Sequence, residues 1–345
     1  MADLVTIDGS IGYGQVLRTA ISLSALTQTP IKVTNIRAGR PRPGLMPQHL
    51  QGIKTAAEFC NADLVGAQFG SIEVEFRPRG LDVTDRRIDI GTAGSIGLLL
   101  QTLLPLLVFA KKETKLEITG GTAGLGAPTA EYMKHVTLPM LTKFRVAKPE
   151  LEIVKQGFYP RGGGIVRLKA SPAKTLEGVT LLQQGTIKMV KGISIAGSLP
   201  ETVAVRQADA AKLHLLQGGV DSIVDIAAKT AETMSQGTSI TIFEESDASI
   251  LGADAIGRPG VRAEDIGKEA AESLLRSMRS GAALDRWMAD QIIPFMALAG
   301  GKSSVTVEEI TGHCRTNMLA CEKILGVKFF VEGNRISCDG IGFTA

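Results

Sequence analysis

Apolar and polar positions follow a recurring order along the chain. At three places an extended or apolar run leads into a glycine-rich turn and then an amphipathic helix: Val5–Leu26, Ile88–Leu107 and Leu116–Leu141. The tetrapeptide GTAG, beginning at Gly91 and again at Gly121, makes the last two look like copies of one structural unit. Strand-like stretches with alternating or β-branched character lie at Pro30–Val33 and Ile72–Phe76. Repeated strand–helix units with mixed pairing predict an α+β layered domain. The most apolar segment, Ile96–Ala110, contains Gln101 and Pro105 and is too short to span a bilayer. It reads as a buried core helix, and no membrane association is expected.

From about Gly185 the pattern changes. Thr186–Ser198 alternates like a strand, Glu201–Leu216 is helical, Ser239–Phe243 is again strand-like, and Arg262–Ser280 is a long helix rich in Ala, Glu and Arg. After Gly281 the initial pattern returns with an apolar helix inside Asp285–Gly301. The expected organisation is one large domain over residues 1–185 and 281–345, with 186–280 inserted as a smaller α/β domain.

Composition narrows the partners. Hydrophobic residues make up 44% and charged residues 21% of 345, which describes a folded globular protein. Aromatics are scarce at 4%, with one tryptophan, which argues against a surface that reads single strands purely by stacking. A net charge of +3 makes any nucleic-acid contact a local patch. Cys60, Cys314, Cys321 and Cys338 show neither zinc-site spacing nor a disulfide framework, so reduced thiols in a cytoplasm are expected. The stretch MADLVTIDGS lacks the pattern of a signal peptide.

Several residues carry candidate chemistry. Ile36–Gly44 holds Arg37, Arg40 and Arg42 between glycine and two prolines. A rigid turn fanning out guanidinium forks suits phosphate; a solvated basic loop is the alternative. The following helix puts Gln48 and His49 in its first turn, where free N–H groups favour anions. Gln15 and Arg18 share one helical face after a glycine turn that has neither GxGxxG spacing nor a Walker lysine. Taken alone, Arg18 reads as a surface arginine on a capped helix. Gln101, in a strongly apolar helix, either satisfies neighbouring backbone or points into a ligand site. Asp290 and Gln291 raise the same question, since a carboxylate in an apolar helix must be paired, ligated or exposed at a cleft. With Trp287 one turn before it, that segment could offer a purine an aromatic face and a polar edge. His313 lies at a glycine-marked helix start, where the positive helix end disfavours imidazolium and welcomes phosphate. A structural histidine is the alternative, and His49, His135 and His214 have weaker settings.

The segments DGS…GQVLR, IRAGRPRPGLMPQHL, IGTAGSIGLLLQTLLP, GFYPRGGG (157–164), ADQIIPFMALAGG and HCRTNM occur in an order that resembles the RNA 3′-terminal phosphate cyclase family. The resemblance covers the chain outside 186–280. It implies a large domain of repeated α/β units, akin to the enolpyruvyl transferases, with a small inserted α/β domain. It implies ATP and a divalent metal, Mg or Mn, as cofactors and RNA 3′-phosphate ends as partners. The implied reaction passes through a histidyl-adenylate and an RNA-adenylate to a 2′,3′-cyclic phosphate. On matching positions, His313, Arg18 and Arg37 would be catalytic. Gln48, Arg40, Gln101, Pro128, Tyr132, Trp287, Met288, Ala289, Asp290 and Gln291 would surround the nucleotide. Family members carry a longer N-terminal turn with a metal-holding glutamate. Here DGSIGYGQ is two residues shorter, with Tyr13 and no glutamate, so the metal ligands stay open, with Asp290, Gln101 and Asp8 as candidates. A non-catalytic ribosome-assembly relative is the alternative reading, although such relatives lack the histidine. An enolpyruvyl transferase fits less well, because it gives His313 no role.

Overall fold

The computed structural model describes residues 4–10 and 14–344. Tyr13 and the two residues before it, the middle of the shortened turn, fall outside the described residues. The fold is α+β, and its larger part is one motif used three times. Each unit runs strand–helix–strand–helix–strand–strand, and each makes a four-stranded sheet in which the first two strands are parallel and the fourth lies between the second and third.

In the first unit the strands are Val5–Asp8, Ile31–Thr34, Asp63–Val65 and Val74–Arg77, with helices Gln15–Thr27 and Pro47–Cys60. The second pairs Arg86–Asp89, Thr114–Gly120, Glu150–Lys155 and Gly164–Ala170 around the helix Ile96–Val108 and the irregular helical stretch 130–144. The third uses Thr180–Leu181, Gly300–Thr306, Phe329–Glu332 and Arg335–Ile341, with helices Met288–Leu298 and Gly312–Leu325.

This corrects the reading of the two GTAG turns as copies of one unit. They open the first and second helical segments of the same unit, and they lie side by side: Gly121 donates to Gly94 O at 2.8 Å and accepts from Ile96 N at 3.0 Å. The true repeat is carried by element order and sheet topology, which the residue pattern alone does not display.

Residues 187–280 build a fourth sheet of different topology, placed in the crossover of the third unit. Its strands are Ile187–Gly197, Ile223–Ala231, Gly237–Ser246 and Ile250–Ile256, and helices Glu201–Gln217 and Ala263–Ser280 pack on one face. Strand alternation sorts its side chains. Val190, Ile240, Ile242 and Leu251 join the helices in a separate apolar core, while Ile195 and Phe243 pack against Phe158 and Tyr132 of the larger part.

The three units share one hydrophobic core, into which helix Ile96–Val108 is sunk on nearly all sides. Its start is capped by Ser95, whose hydroxyl accepts from Leu98 N at 3.1 Å. Among the described residues no helix is long and apolar enough to cross a membrane. All four cysteines are free and buried.

One group violates the small core. Glu244 shares a face with Ile240 and Ile242, is fully buried, and neither carboxyl oxygen has a hydrogen-bond partner. Burial, with Asp247 and Glu245 nearby, pushes its carboxyl up to about 7. The unfolded chain ionises near the ordinary glutamate range, so stability falls as pH rises from there to about 7 and stays reduced above it. Glu244→Leu should therefore stabilise the protein at pH 8 by on the order of 2–3 kcal/mol relative to its effect near pH 4. Denaturant melts of both chains at the two pH values check this, and a gain that grows toward acid would refute it.

Candidate active site

A cavity of about 200 Å³ opens where the units and the fourth sheet meet, and it is ringed by the starts of helices. Gln15 and Arg18 lie in the first turn of Gln15–Thr27. Leu98 and Gln101 come from the first two turns of Ile96–Val108. Trp287, Asp290 and Gln291 come from the start of Met288–Leu298, and His313 is the second residue of Gly312–Leu325. Each helix start directs unpaired N–H groups and a partial positive charge toward its end, so the cavity favours an anion before any side chain is counted.

Helix Gln15–Thr27 is buried all round. Arg18 is therefore no surface arginine, as its segment alone suggested; it is 7% exposed and packed beneath the cavity. Chain from the third unit covers the face that local sequence leaves open to water. Its Nη2 donates to Gln15 Oε1, and its Nε lacks a hydrogen-bond partner. Burial pushes the guanidinium down to about 10, Asp290 pulls it back up and Arg37 pushes it further down, so it stays charged at neutral pH. Gln101 Oε1 is likewise buried without a partner. A donor and an acceptor orphaned around one cavity are what a polar ligand would complete.

Asp290 and His313 form a pair, with Nδ1 3.2 Å from Oδ2. The carboxylate is 5% exposed and the imidazole about a third exposed. Thr311 caps the histidine's helix by accepting from Cys314 N at 3.2 Å. Beneath the pair lies Asn317, fully buried, which donates to Asp290 O at 2.7 Å and accepts from Thr19 Oγ1 at 2.8 Å. One amide thus ties together the helices that carry Arg18, Asp290 and His313.

The Trp287–Gln291 segment divides by helical phase. Trp287, Asp290 and Gln291 face the cavity, whereas Met288 and Ala289 are fully buried in the core and do not line it. The Arg286 guanidinium covers the Trp287 ring at 4.8 Å. The Gln291 amide is occupied, accepting from Thr137 Oγ1 at 3.1 Å and donating to Trp287 O at 3.0 Å. Pro128 and Tyr132 also border the cavity. Tyr132 is fully buried and donates its hydroxyl to Asp285 at 2.7 Å, so it is a wall rather than a free donor.

Arg37, Arg40 and Gln48 do not line this cavity. Arg37 has φ +56° and holds its own turn, donating from Nη1 to Arg42 O at 2.7 Å and to Gly44 O at 2.9 Å. Burial and Arg40 lower its pKa. Arg40 and Arg42 are exposed. Gln48 packs on the first GTAG turn, where a Cβ on Gly94 would stand 3.1 Å from its Oε1.

Sequence reasoning gives four contributors no place at the cavity. His49 is 5% exposed, and its pKa is held well below the usual value by burial, then by Arg18 and Arg37. Met46 N donates to its Nδ1 at 3.3 Å, and a Cβ on Gly14 would stand 2.6 Å from its Nε2 and 3.2 Å from Arg18 Nη1. Asp285 accepts from Tyr132, Gly252, Trp287 and Met288, which locks the fourth sheet to the start of Met288–Leu298. Asn317 is the third. The fourth is the inserted segment itself, which supplies Asp254, Ala255, Ile256 and Glu269 to the cavity. Asp254 is pushed up to about 6 by burial, and Thr129 N donates to it at 2.9 Å. The glycine at 14 and the third helical position of His49 are the available signals.

Comparison with known proteins agrees with this architecture. The RNA 3′-terminal phosphate cyclase family matches residues 10–331. The chain is 42% identical to the RNA 3′-terminal phosphate cyclase of Pyrococcus abyssi over 96% of each chain. It is 44% identical to that of Pyrobaculum neutrophilum over 98% of this chain and 99% of the other, and 44% identical to that of Thermococcus kodakarensis over 95% of each. A likeness to the EPSP synthase of Acinetobacter baumannii, at 14% identity and a TM-score of 0.40, covers all of this chain and 49% of that one. The chain spans about half that structure's length, and so slight a likeness carries no argument. Helix starts gathered on a buried arginine and an Asp–His pair give this cavity the electrostatics that suit an anionic ligand. The chain belongs to the RNA 3′-terminal phosphate cyclase family.

Asn317→Ala removes the two hydrogen bonds this amide makes to the neighbouring helices and leaves Asp290 O without its partner. Stability should fall by about 1–3 kcal/mol, measured by denaturant melting, while the overall fold persists in circular dichroism. A loss below about 0.5 kcal/mol, the usual scatter for inconsequential surface changes, would show that the helices hold their places without it.

Proposed function

We propose that this cavity carries out the ATP-dependent conversion of an RNA 3′-terminal phosphate to a 2′,3′-cyclic phosphate, with His313 as the nucleophile. The observation that carries the reading is the His313–Asp290 pair beside buried Arg18. A carboxylate that accepts the Nδ1 proton selects the tautomer whose lone pair is on Nε2. It also stabilises the positive charge that grows on the ring during attack.

In the first step Nε2 of His313 attacks the α-phosphorus of ATP. The bond to the bridging oxygen breaks, and pyrophosphate leaves. In the second, an oxygen of the RNA 3′-phosphate attacks the histidine-bound phosphorus, the N–P bond breaks, and the imidazole returns to its neutral form. In the third, the vicinal 2′-hydroxyl attacks the 3′-phosphorus as its proton passes to solvent water, and the bond from that phosphorus to the bridging oxygen breaks, which expels AMP. Arg18 and the helix starts meet the charge on the transferring phosphoryl. Neutral His49 lies over Gly14 beside Arg18, and Gln101 offers an acceptor inside the cavity. The arginine turn stands behind Arg18, where Arg37 adds positive potential along the phosphates.

A divalent ion fits less directly. Among the described residues no group of three or more His, Cys, Asp or Glu is placed to hold one. Asp290 is engaged by His313, and Asp8 accepts from Ser10 and Asn35. An ion held mainly by the nucleotide's phosphates needs few protein ligands, and no step above is routed through it.

Incubation with ATP labelled at the α-phosphate should leave acid-labile, alkali-stable AMP on the protein. His313→Ala should fold and take up none, while His214→Ala, on the inserted segment, should label as the parent does. Asp290→Asn keeps an acceptor but loses the charge, and should slow labelling by on the order of 100-fold. Chelator should abolish labelling, and magnesium or manganese should restore it. Labelling of His313→Ala would remove the mechanism. A parent chain that never labels under varied metals and pH would leave the non-catalytic reading in its place.

A further inference from the structure

The turn 157–164 takes no part in the chemistry above, yet it is among the most firmly mounted surface features of the molecule. Phe158 is 2% exposed, and its ring lies on Gly197 and Gly237, two positions where a Cβ would strike it. Gly162 N donates to Phe158 O at 2.8 Å, and Arg161 N donates to Ser235 Oγ at 3.1 Å. Gly162 and Gly163 have φ of +69° and +71°. A Cβ on Gly162 would stand 2.8 Å from Ala93 Cα, so the turn is pressed against the first GTAG turn. All this rigidity presents Tyr159 to solvent. At 80% exposure it is the most exposed large apolar side chain among the described residues. Arg161, two residues on, is also exposed.

A core has no use for an aromatic ring held so firmly outside it. Its position supplies one. The GTAG turn beneath Gly162 leads within a few residues into Leu98 and Gln101 of the cavity, and its other side rests on Gln48, next to His49. We propose that Tyr159 and Arg161 form a landing for the RNA strand upstream of its two terminal nucleotides, with a base stacked on the Tyr159 ring and Arg161 meeting a backbone phosphate. An aromatic face accepts any base, and one arginine reads only phosphate, so the contact is indifferent to sequence. A single stacking position also fits a chain poor in aromatics. The inference rests on RNA ends being the substrate.

The test uses the full chain with two substrates, a 3′-phosphorylated oligonucleotide of roughly ten nucleotides and a 3′-phosphorylated dinucleotide. Tyr159→Ala should raise KM for the longer RNA about ten-fold, with kcat and ATP-dependent labelling of the protein unchanged. Tyr159→Phe should behave as the parent, and Arg161→Ala should raise KM and flatten its dependence on salt. The dinucleotide should be used equally by all. Equal KM for parent and Tyr159→Ala on the longer RNA would overturn the proposal, as would an equal loss on the dinucleotide. If the parent cyclises neither substrate, the proposed function fails separately. Affinity for the longer RNA, read by fluorescence anisotropy, then decides: a roughly ten-fold weakening in Tyr159→Ala supports the landing, and no change removes it.

Discussion

Several helices begin around one cavity, and the rest of the molecule can be understood as the means of holding them there. Each start contributes only a fraction of a charge, screened within a turn in water. Gathered over a buried guanidinium they create a strongly positive spot in a poorly solvated place. Such a spot is unstable unless something negative answers it. Asp290 does so in the resting protein, which explains how a nearly inaccessible carboxylate is tolerated in an otherwise apolar helix. The same carboxylate faces the imidazole. Charge balance and, in the proposed reaction, support of the nucleophile therefore fall to one side chain, and Asn317 fixes its backbone.

The inserted segment belongs to this arrangement. Asp285 gathers donors from the second unit, the fourth sheet and the start of Met288–Leu298. Thr129 and Thr241 share a hydrogen bond at 2.8 Å across the same junction, and His135 stacks on Phe243 with ring centroids 4.8 Å apart. Such buried polar contacts weaken sharply if the geometry slips, so they fix orientation more than they add stability. The fourth sheet is thereby held as one wall of the cavity, with Asp254 and Ile256 facing inward.

Much of this is legible in the chain. Glycine turns do precede helices, His313 does stand at a helix start, Gln101 and Asp290 border the cavity, and the fourth sheet begins shortly after Gly185. What stays hidden depends on neighbours distant in sequence. Arg18 reads as a surface residue because nothing local shows what will cover its helix. His49 gains its meaning from two arginines outside its own helix. Met288 and Ala289 group with Asp290 by proximity in sequence, whereas helical phase sends them into the core. The two GTAG turns are alike in letters but are halves of one unit, because the repeat is set by backbone pairing rather than by residue identity.

The hydrogen bond between Thr19 and Asn317 joins positions 298 residues apart. A ribosome delivers the first of these long before the second, and domains generally form as the chain emerges. While the third unit is still being made, Arg18 has neither Asp290 nor His313 beside it. The positive centre then lacks its counter-charge, and the proposed chemistry lacks its nucleophile. On the proposed mechanism, a product that stops short of the third unit has no route to the reaction.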